Sequence, residues 1–207
     1  MTRIAYLHGF NSGPESIKGQ VLARAIAALP ARARPDYFLP RLPHRPSEAI
    51  GVVDRWARNG GREELTFVGS SLGGFYATHL AQAHGAKAVL VNPAVHAERI
   101  LAPYLGTQHN ASTGETYEFT PGHLAELATL KVERITQPGR YLLLSQTGDE
   151  LGDWRDGTAL YAGAWQFIQG GGDHAYHGFA ALVPEILRFA GMQRLAVGAA
   201  CSWAPAP

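Results

Sequence analysis

A serine hydroxyl is a weak nucleophile near neutral pH and becomes reactive when a base takes its proton. This sequence holds a serine in a spacing suited to that chemistry. Gly69-Ser70-Ser71-Leu72-Gly73-Gly74 lies behind an apolar run at 65–68 and ahead of an amphipathic run at 75–83. Gly-x-Ser-x-Gly between a strand and a helix is the nucleophile-elbow pattern. The sharp turn forces its middle residue into a strained backbone, and the flanking glycines let strand and helix approach closely. Ser71 then stands at a helix N-terminus, whose unpaired N–H groups favour negative charge. The Leu72 N–H is one candidate donor to an oxyanion. Ser70 occupies an x position, where its side chain points elsewhere, and reads as packing. With 24 glycines in the chain the bare pattern carries little weight; its flanking elements and the partners that follow it carry the inference.

The base in such a site is usually histidine, oriented by a carboxylate, and after an elbow the chain order is serine, acid, histidine. Nine histidines are present, so position must choose among them. His174, in Gly171-Gly172-Asp173-His174-Ala175, follows the last strand pattern, where the glycines permit a tight turn. His177 reads as the first turn of a helix, and most of the others as solvated. No aspartate occurs between Ser71 and Asp149. Asp149 lies just past a buried strand pattern, where an orienting acid belongs. Asp153 reads as a helix cap, Asp156 and Glu150 as solvated, and Asp173 as too close along the chain to orient His174. A second oxyanion donor is expected from the loop after the first strand, His8-Gly9-Phe10, with the Phe10 N–H as donor and His8 as a structural hydrogen-bonder.

The elements that must position these residues alternate. Strands are expected at 3–7, 37–39, 65–68, 87–91, 140–145 and 165–169. Helices are expected at 17–29 (capped by Ser16), to about Arg58 after a Ser47 cap, after Ser71, at 153–161 and at 177–190. This is an α/β pattern: a mostly parallel sheet, right-handed crossovers and helices on both faces. Ligands bind outside the carboxyl ends of such strands, and the loops after Leu7, Val68, Ser145 and Gln169 carry the reactive residues. Residues 96–138 hold helical patches at 98–104 and 123–130 around a polar loop at 108–118, with no strong strand, and read as a small cap insertion. Residues 1–191 are expected to form one domain, and 192–207 an Ala/Pro-rich tail.

Composition narrows the class. A net charge of +1 provides no basic field for nucleic acid or an anionic membrane. No apolar run is long enough to span a bilayer. A single cysteine, Cys201, excludes an intrachain disulfide. With no signal-peptide core in the first residues, a cytoplasmic setting is the expectation. No His-Glu-x-x-His or Cys-x-x-Cys metal pattern, phosphate loop or dinucleotide fingerprint is present, so neither metal nor cofactor is expected.

Several motifs together carry a family resemblance. Tyr6-Leu7-His8-Gly9-Phe10-Asn11-Ser12, the 68–78 elbow segment, Val91-Asn92-Pro93-Ala94-Val95, Gln146-Thr147-Gly148-Asp149-Glu150 and Gly171-Gly172-Asp173-His174 resemble the YqiA-type esterases, small bacterial α/β-hydrolases. The resemblance runs from about Ile4 to Gly191. It implies an α/β-hydrolase fold and esterase activity on short acyl esters, extending to acyl-CoA thioesters, with Ser71, Asp149 and His174 as the matching triad. The expected partner is a small-molecule acyl ester. A rival reading is a non-catalytic module of the same fold that holds a small ligand or a protein; a complete triad argues against it.

Overall fold

The computed structural model describes residues 2–61 and 64–192. β1 (Arg3–Leu7) leads to α1 (Ile17–Ala27), β2 (Asp36–Phe38) to α2 (Pro46–Arg58), and β3 (Leu65–Ser70) to α3 (Leu72–His84). After β4 (Lys87–Val91) come α4 (Ala97–Leu101), β5 (Gly106–His109), β6 (Thr116–Phe119) and α5 (Pro121–Leu130). β7 (Tyr141–Gln146), α6 (Trp154–Leu160), β8 (Trp165–Gln169) and α7 (Phe179–Phe189) complete the described chain. Six strands form one parallel sheet in the order β2-β1-β3-β4-β7-β8.

Period-2 alternation explains why this sheet is covered on both faces. In β1, Ile4 and Tyr6 join the core layer that α1 and α7 cover, while Ala5 and Leu7 join the layer under α2 and α3. β4 divides in the same way, with Val89 and Val91 on the first face and Ala88 and Leu90 on the second. All eight side chains are fully buried. The register sets Leu7 beside Gly69, Gly69 beside Leu90, and Val91 beside Leu144. The loops after β1, β3, β4 and β7 therefore leave the sheet along one edge.

Several local expectations change. The cap region contains a β-hairpin: β5 and β6 pair antiparallel, Gly106 with Phe119 through His109 with Thr116. Tyr117 and Phe119 are buried while Thr116 and Glu118 are exposed. All of that alternation but Phe119 falls in the stretch read as a polar loop, and it is only four residues long. Asn110 shapes its turn by accepting the N–H groups of Ser112 and Thr113. Ser47 does not cap α2. The helix starts at Pro46, whose missing N–H costs nothing in the first turn, and the Ser47 N–H donates to Glu126 of α5. Ser16 does occupy the N-cap position of α1, but its hydroxyl makes no capping bond. α7 begins at Phe179 rather than His177, after Gly178 in a left-handed conformation. The Ala/Pro-rich stretch from 193 onward, with Cys201, lies outside the described residues. Among the described residues no helix is long and apolar enough to cross a membrane.

The junction of β3 and α3 sets the tightest packing constraint. A β-carbon on Gly69 would lie 2.0 Å from the Gly73 carbonyl oxygen, and one on Gly73 would lie 2.0 Å from the Leu7 carbonyl oxygen. Backbone cannot yield there as a flexible side chain would. Gly73→Ala is therefore expected to lose more than about 3 kcal/mol of stability or fail to fold. Urea denaturation of the variant beside the wild type measures this, and a loss under about 1 kcal/mol would contradict the packing argument.

Candidate active site

Ser71 sits between β3 and α3 with φ 57° and ψ −122°. Such a conformation costs of order 1–3 kcal/mol and persists only when its surroundings hold it. They do so through the backbone. The Ser71 N–H donates to the Val91 carbonyl at 3.0 Å, and the Ser71 carbonyl accepts N–H groups from Gly74, Phe75 and Ala94. The end of β4 and the start of α3 thus grip the same residue. Ser70 lies on the strand before it and is buried.

The structure brings Ser71, His174 and Asp149 into one hydrogen-bonded chain across three loops. His174 Nε2 lies 2.8 Å from Ser71 Oγ, and His174 Nδ1 lies 2.8 Å from Asp149 Oδ1. An ionised carboxylate only accepts, so the network assigns the imidazole proton to Nδ1 and leaves Nε2 to accept the serine proton. Asp149 Oδ1 also accepts the N–H groups of Leu151 and Gly152. Burial raises the carboxyl pKa, but the bonds from His174 and these two amides outweigh it and hold Asp149 below the ordinary carboxylate range. Its side chain is 5% exposed and that of His174 19%, so the acid is enclosed and the base reaches the cleft.

The competing residues sit elsewhere. Asp153 caps α6 by accepting the Arg155 N–H. His177 turns outward and pairs with Asp173 at 2.7 Å. Asp156 faces His96 at 3.6 Å. Glu150 is exposed, as expected, and in addition accepts the His174 backbone N–H at 2.9 Å.

Two residues missed as site elements hold the histidine loop. Asn92, at the end of β4, donates through Nδ2 to the carbonyls of Asp173 and His174, and its Oδ1 accepts the Gln146 N–H. Gln146, at the end of β7, accepts the N–H groups of Asp173 and His177 through Oε1 and donates through Nε2 to Gln169 and the His177 carbonyl. Both are almost fully buried, where polar groups need partners. The available sequence signal was an amide directly after the apolar run of β4 and another one residue past the apolar run of β7.

The loop after β1 lies against Ser71. A β-carbon on Gly9 would meet Ser71 Cβ at 3.4 Å and Oγ at 3.8 Å. His8 is buried; the Leu42 N–H donates to its Nε2, and its Nδ1 bonds the Gly9 carbonyl. Burial lowers its pKa, consistent with the neutral Nδ1–H form that this pattern requires. Holding the Gly9 carbonyl also orients the Phe10 N–H, because the two share a planar trans peptide. Among the described residues neither the Phe10 nor the Leu72 N–H donates to a protein acceptor. Both are available to a ligand beside Ser71.

These loops open on a cavity of about 370 Å³. Ile100, Leu101 and Tyr104 give it an apolar wall on the cap side, and Ser12, Ile17 and Lys18 form the α1 side. Among the described residues no three His, Cys, Asp or Glu side chains come together to hold a metal ion.

The fold recurs widely. Est1E from Butyrivibrio proteoclasticus is similar with a TM-score of 0.65 at 14% identity, covering 95% of this chain and 89% of its own. The mouse alpha/beta hydrolase domain-containing protein 10 gives 0.63 at 16%, covering 92% and 90%. A monoacylglycerol lipase from Paleococcus ferrophilus gives 0.62 at 15%, covering 90% and 94%. At these identities the likeness shows the fold, which is that of the α/β-hydrolases. The sequence model described as "Uncharacterised protein family (UPF0227)" matches residues 3–191.

The depressed pKa of Asp149 makes stability depend on pH. Its folded pKa lies below its unfolded value, so the carboxylate stabilises the fold above the unfolded pKa of about 4. That contribution is lost as pH falls through the folded pKa. The stability gap between wild type and Asp149→Asn in urea is expected to stay constant from pH 7 to about 5 and to narrow below about 4. A gap that is flat down to pH 3 would show that the charge of Asp149 adds nothing to the fold.

Proposed function

The chain belongs to UPF0227, the YqiA esterase family, and from that premise we propose that it is a serine esterase acting on small acyl esters, and on acyl-CoA thioesters by the same route. One observation carries the reading: the unbroken chain from Ser71 Oγ through His174 to Asp149, with 2.8 Å at each link. In the proposed reaction Ser71 Oγ attacks the acyl carbonyl carbon while its proton passes to His174 Nε2. Asp149 stays ionised and stabilises the imidazolium. The carbonyl oxygen becomes an oxyanion that accepts hydrogen bonds from the Phe10 and Leu72 N–H groups. Collapse of the intermediate breaks the ester C–O bond, and His174 gives its proton to the departing alkoxide. Water, deprotonated by His174, then attacks the acyl-enzyme carbonyl. A second collapse releases the acid and restores Ser71. A thioester differs only in its leaving thiolate.

The cavity supports a small substrate. About 370 Å³ stands near the lower end of ligand-pocket volumes, and the Ile100–Tyr104 wall suits a short acyl chain better than bulk lipid.

The test is intact-mass analysis after exposure to a fluorophosphonate, for wild type and Ser71→Ala, alongside turnover of 4-nitrophenyl butyrate. One adduct with loss of fluoride is expected on wild type and none on the variant, whose kcat falls by at least about a thousandfold. An unlabelled, inactive wild type would instead support the non-catalytic binding module.

A further inference from the structure

We propose that Asn11 is a positioning residue for the oxyanion hole, clamped by Tyr117 and Gln108 of the cap hairpin. The inference rests on the hydrolase reading and deepens it: the hairpin sets the rate by holding the residue that follows Phe10.

Asn11 has φ 49°, in the left-handed region that most side chains avoid. Its carboxamide faces the hairpin at both ends. Tyr117 Oη donates to Asn11 Oδ1 at 2.7 Å, and Asn11 Nδ2 donates to Gln108 Oε1 at 3.0 Å. Gln108 is itself fixed, since its Nε2 donates to the Tyr104 carbonyl at 2.7 Å. One residue later, Asn110 Nδ2 donates to the Ser12 carbonyl at 2.9 Å. The Phe10 ring packs edge-on against Phe119 at 5.3 Å and Tyr104 at 5.6 Å.

Tyr117 is built to donate. Its ring is buried and stacked on His44 at 4.2 Å between centroids, and burial pushes its hydroxyl pKa up to about 12. The hydroxyl keeps its proton throughout the working range. His8 holds the Gly9 carbonyl on the core side, so the Gly9–Phe10–Asn11 backbone is pinned from the core at one end and from the cap at the other. Hydrogen-bond donors to an oxyanion act through preorganisation. A donor free to swing must be reoriented in each transition state, which lowers kcat and leaves ground-state binding nearly unchanged.

A bland alternative exists: asparagine stands at position 11 only because it tolerates a left-handed backbone. Asn11→Gly separates the two, since glycine adopts that backbone freely but has no carboxamide. Tyr117→Phe removes one clamping bond and keeps the stack on His44. The experiment measures kcat and KM on 4-nitrophenyl butyrate for wild type, Tyr117→Phe, Asn11→Gly and the double variant. It also measures inhibition by an alkyl trifluoromethyl ketone, whose Ser71 adduct carries an oxyanion, and melting temperature. Each single variant is expected to lose about tenfold or more in kcat, with KM within about twofold. Inhibitor affinity is expected to fall by the same factor, and the double variant to be no worse than Asn11→Gly. Wild-type kcat in Asn11→Gly overturns the proposal in favour of the backbone alternative. Lower melting temperatures with unchanged kcat overturn it in favour of a purely structural tie. A wild type inert to both the ester and a fluorophosphonate removes the hydrolase reading, and this proposal with it.

Discussion

The carbonyl oxygen of Leu7 lies only 2.0 Å from where a β-carbon on Gly73 would be. That contact fixes the end of β1 against the first turn of α3, and the site is assembled around it. Because β1 and α3 touch through backbone, the Gly9–Phe10 loop can lie beside Ser71 with no side chain between them. Because Gly69 meets the Gly73 carbonyl just as closely, β3 can pass into α3 within one residue. Ser71 takes up the strain of that transition, and four backbone hydrogen bonds to it offset the cost. Among the described residues the same turn leaves the Leu72 N–H without a protein acceptor.

Once the serine is fixed, the histidine must reach it from the far side of the sheet. The loop after β8 is rich in glycine and would be mobile alone. Gly171 and Gly172 adopt left-handed conformations, and Gln146 lies so near that a β-carbon on Gly172 would overlap its carboxamide. Asn92 and Gln146 supply this loop with the partners its backbone needs. Their burial makes the arrangement selective. Away from water, each carboxamide would lose several hydrogen bonds if the loop moved, so one loop geometry is favoured over its neighbours.

The cap contributes on the opposite side. It walls the cavity with Ile100 and Tyr104, and its hairpin bonds to residues 11 and 12 directly. Insertions over the carboxyl end of a parallel sheet often serve as lids. Here the hydrogen bonds tie the hairpin to the loop after β1, so the segment that walls the cavity also holds the loop beside Ser71.

Strand and helix periodicity, together with the Gly-x-Ser-x-Gly spacing, were enough in the sequence to yield the parallel α/β sheet, the elbow and the loops that meet at its edge. Continuous apolar strands and a glycine-framed serine admit few other arrangements. Chain order and the lack of any aspartate between Ser71 and Asp149 narrowed the partners that His174 could meet, and the stretch between β4 and β7 stood apart from the strand–helix alternation. Its hairpin was not, because four-residue strands carry too little alternation to stand out from polar loop. Nor were the roles of Asn92, Gln146, Glu150 and Asn11 legible, since each depends on partners 24 to 106 positions away. Local pattern determined which segments become strands, helices and turns. Only tertiary structure decided which polar groups meet, because hydrogen bonding between distant residues depends on distances that the fold alone creates.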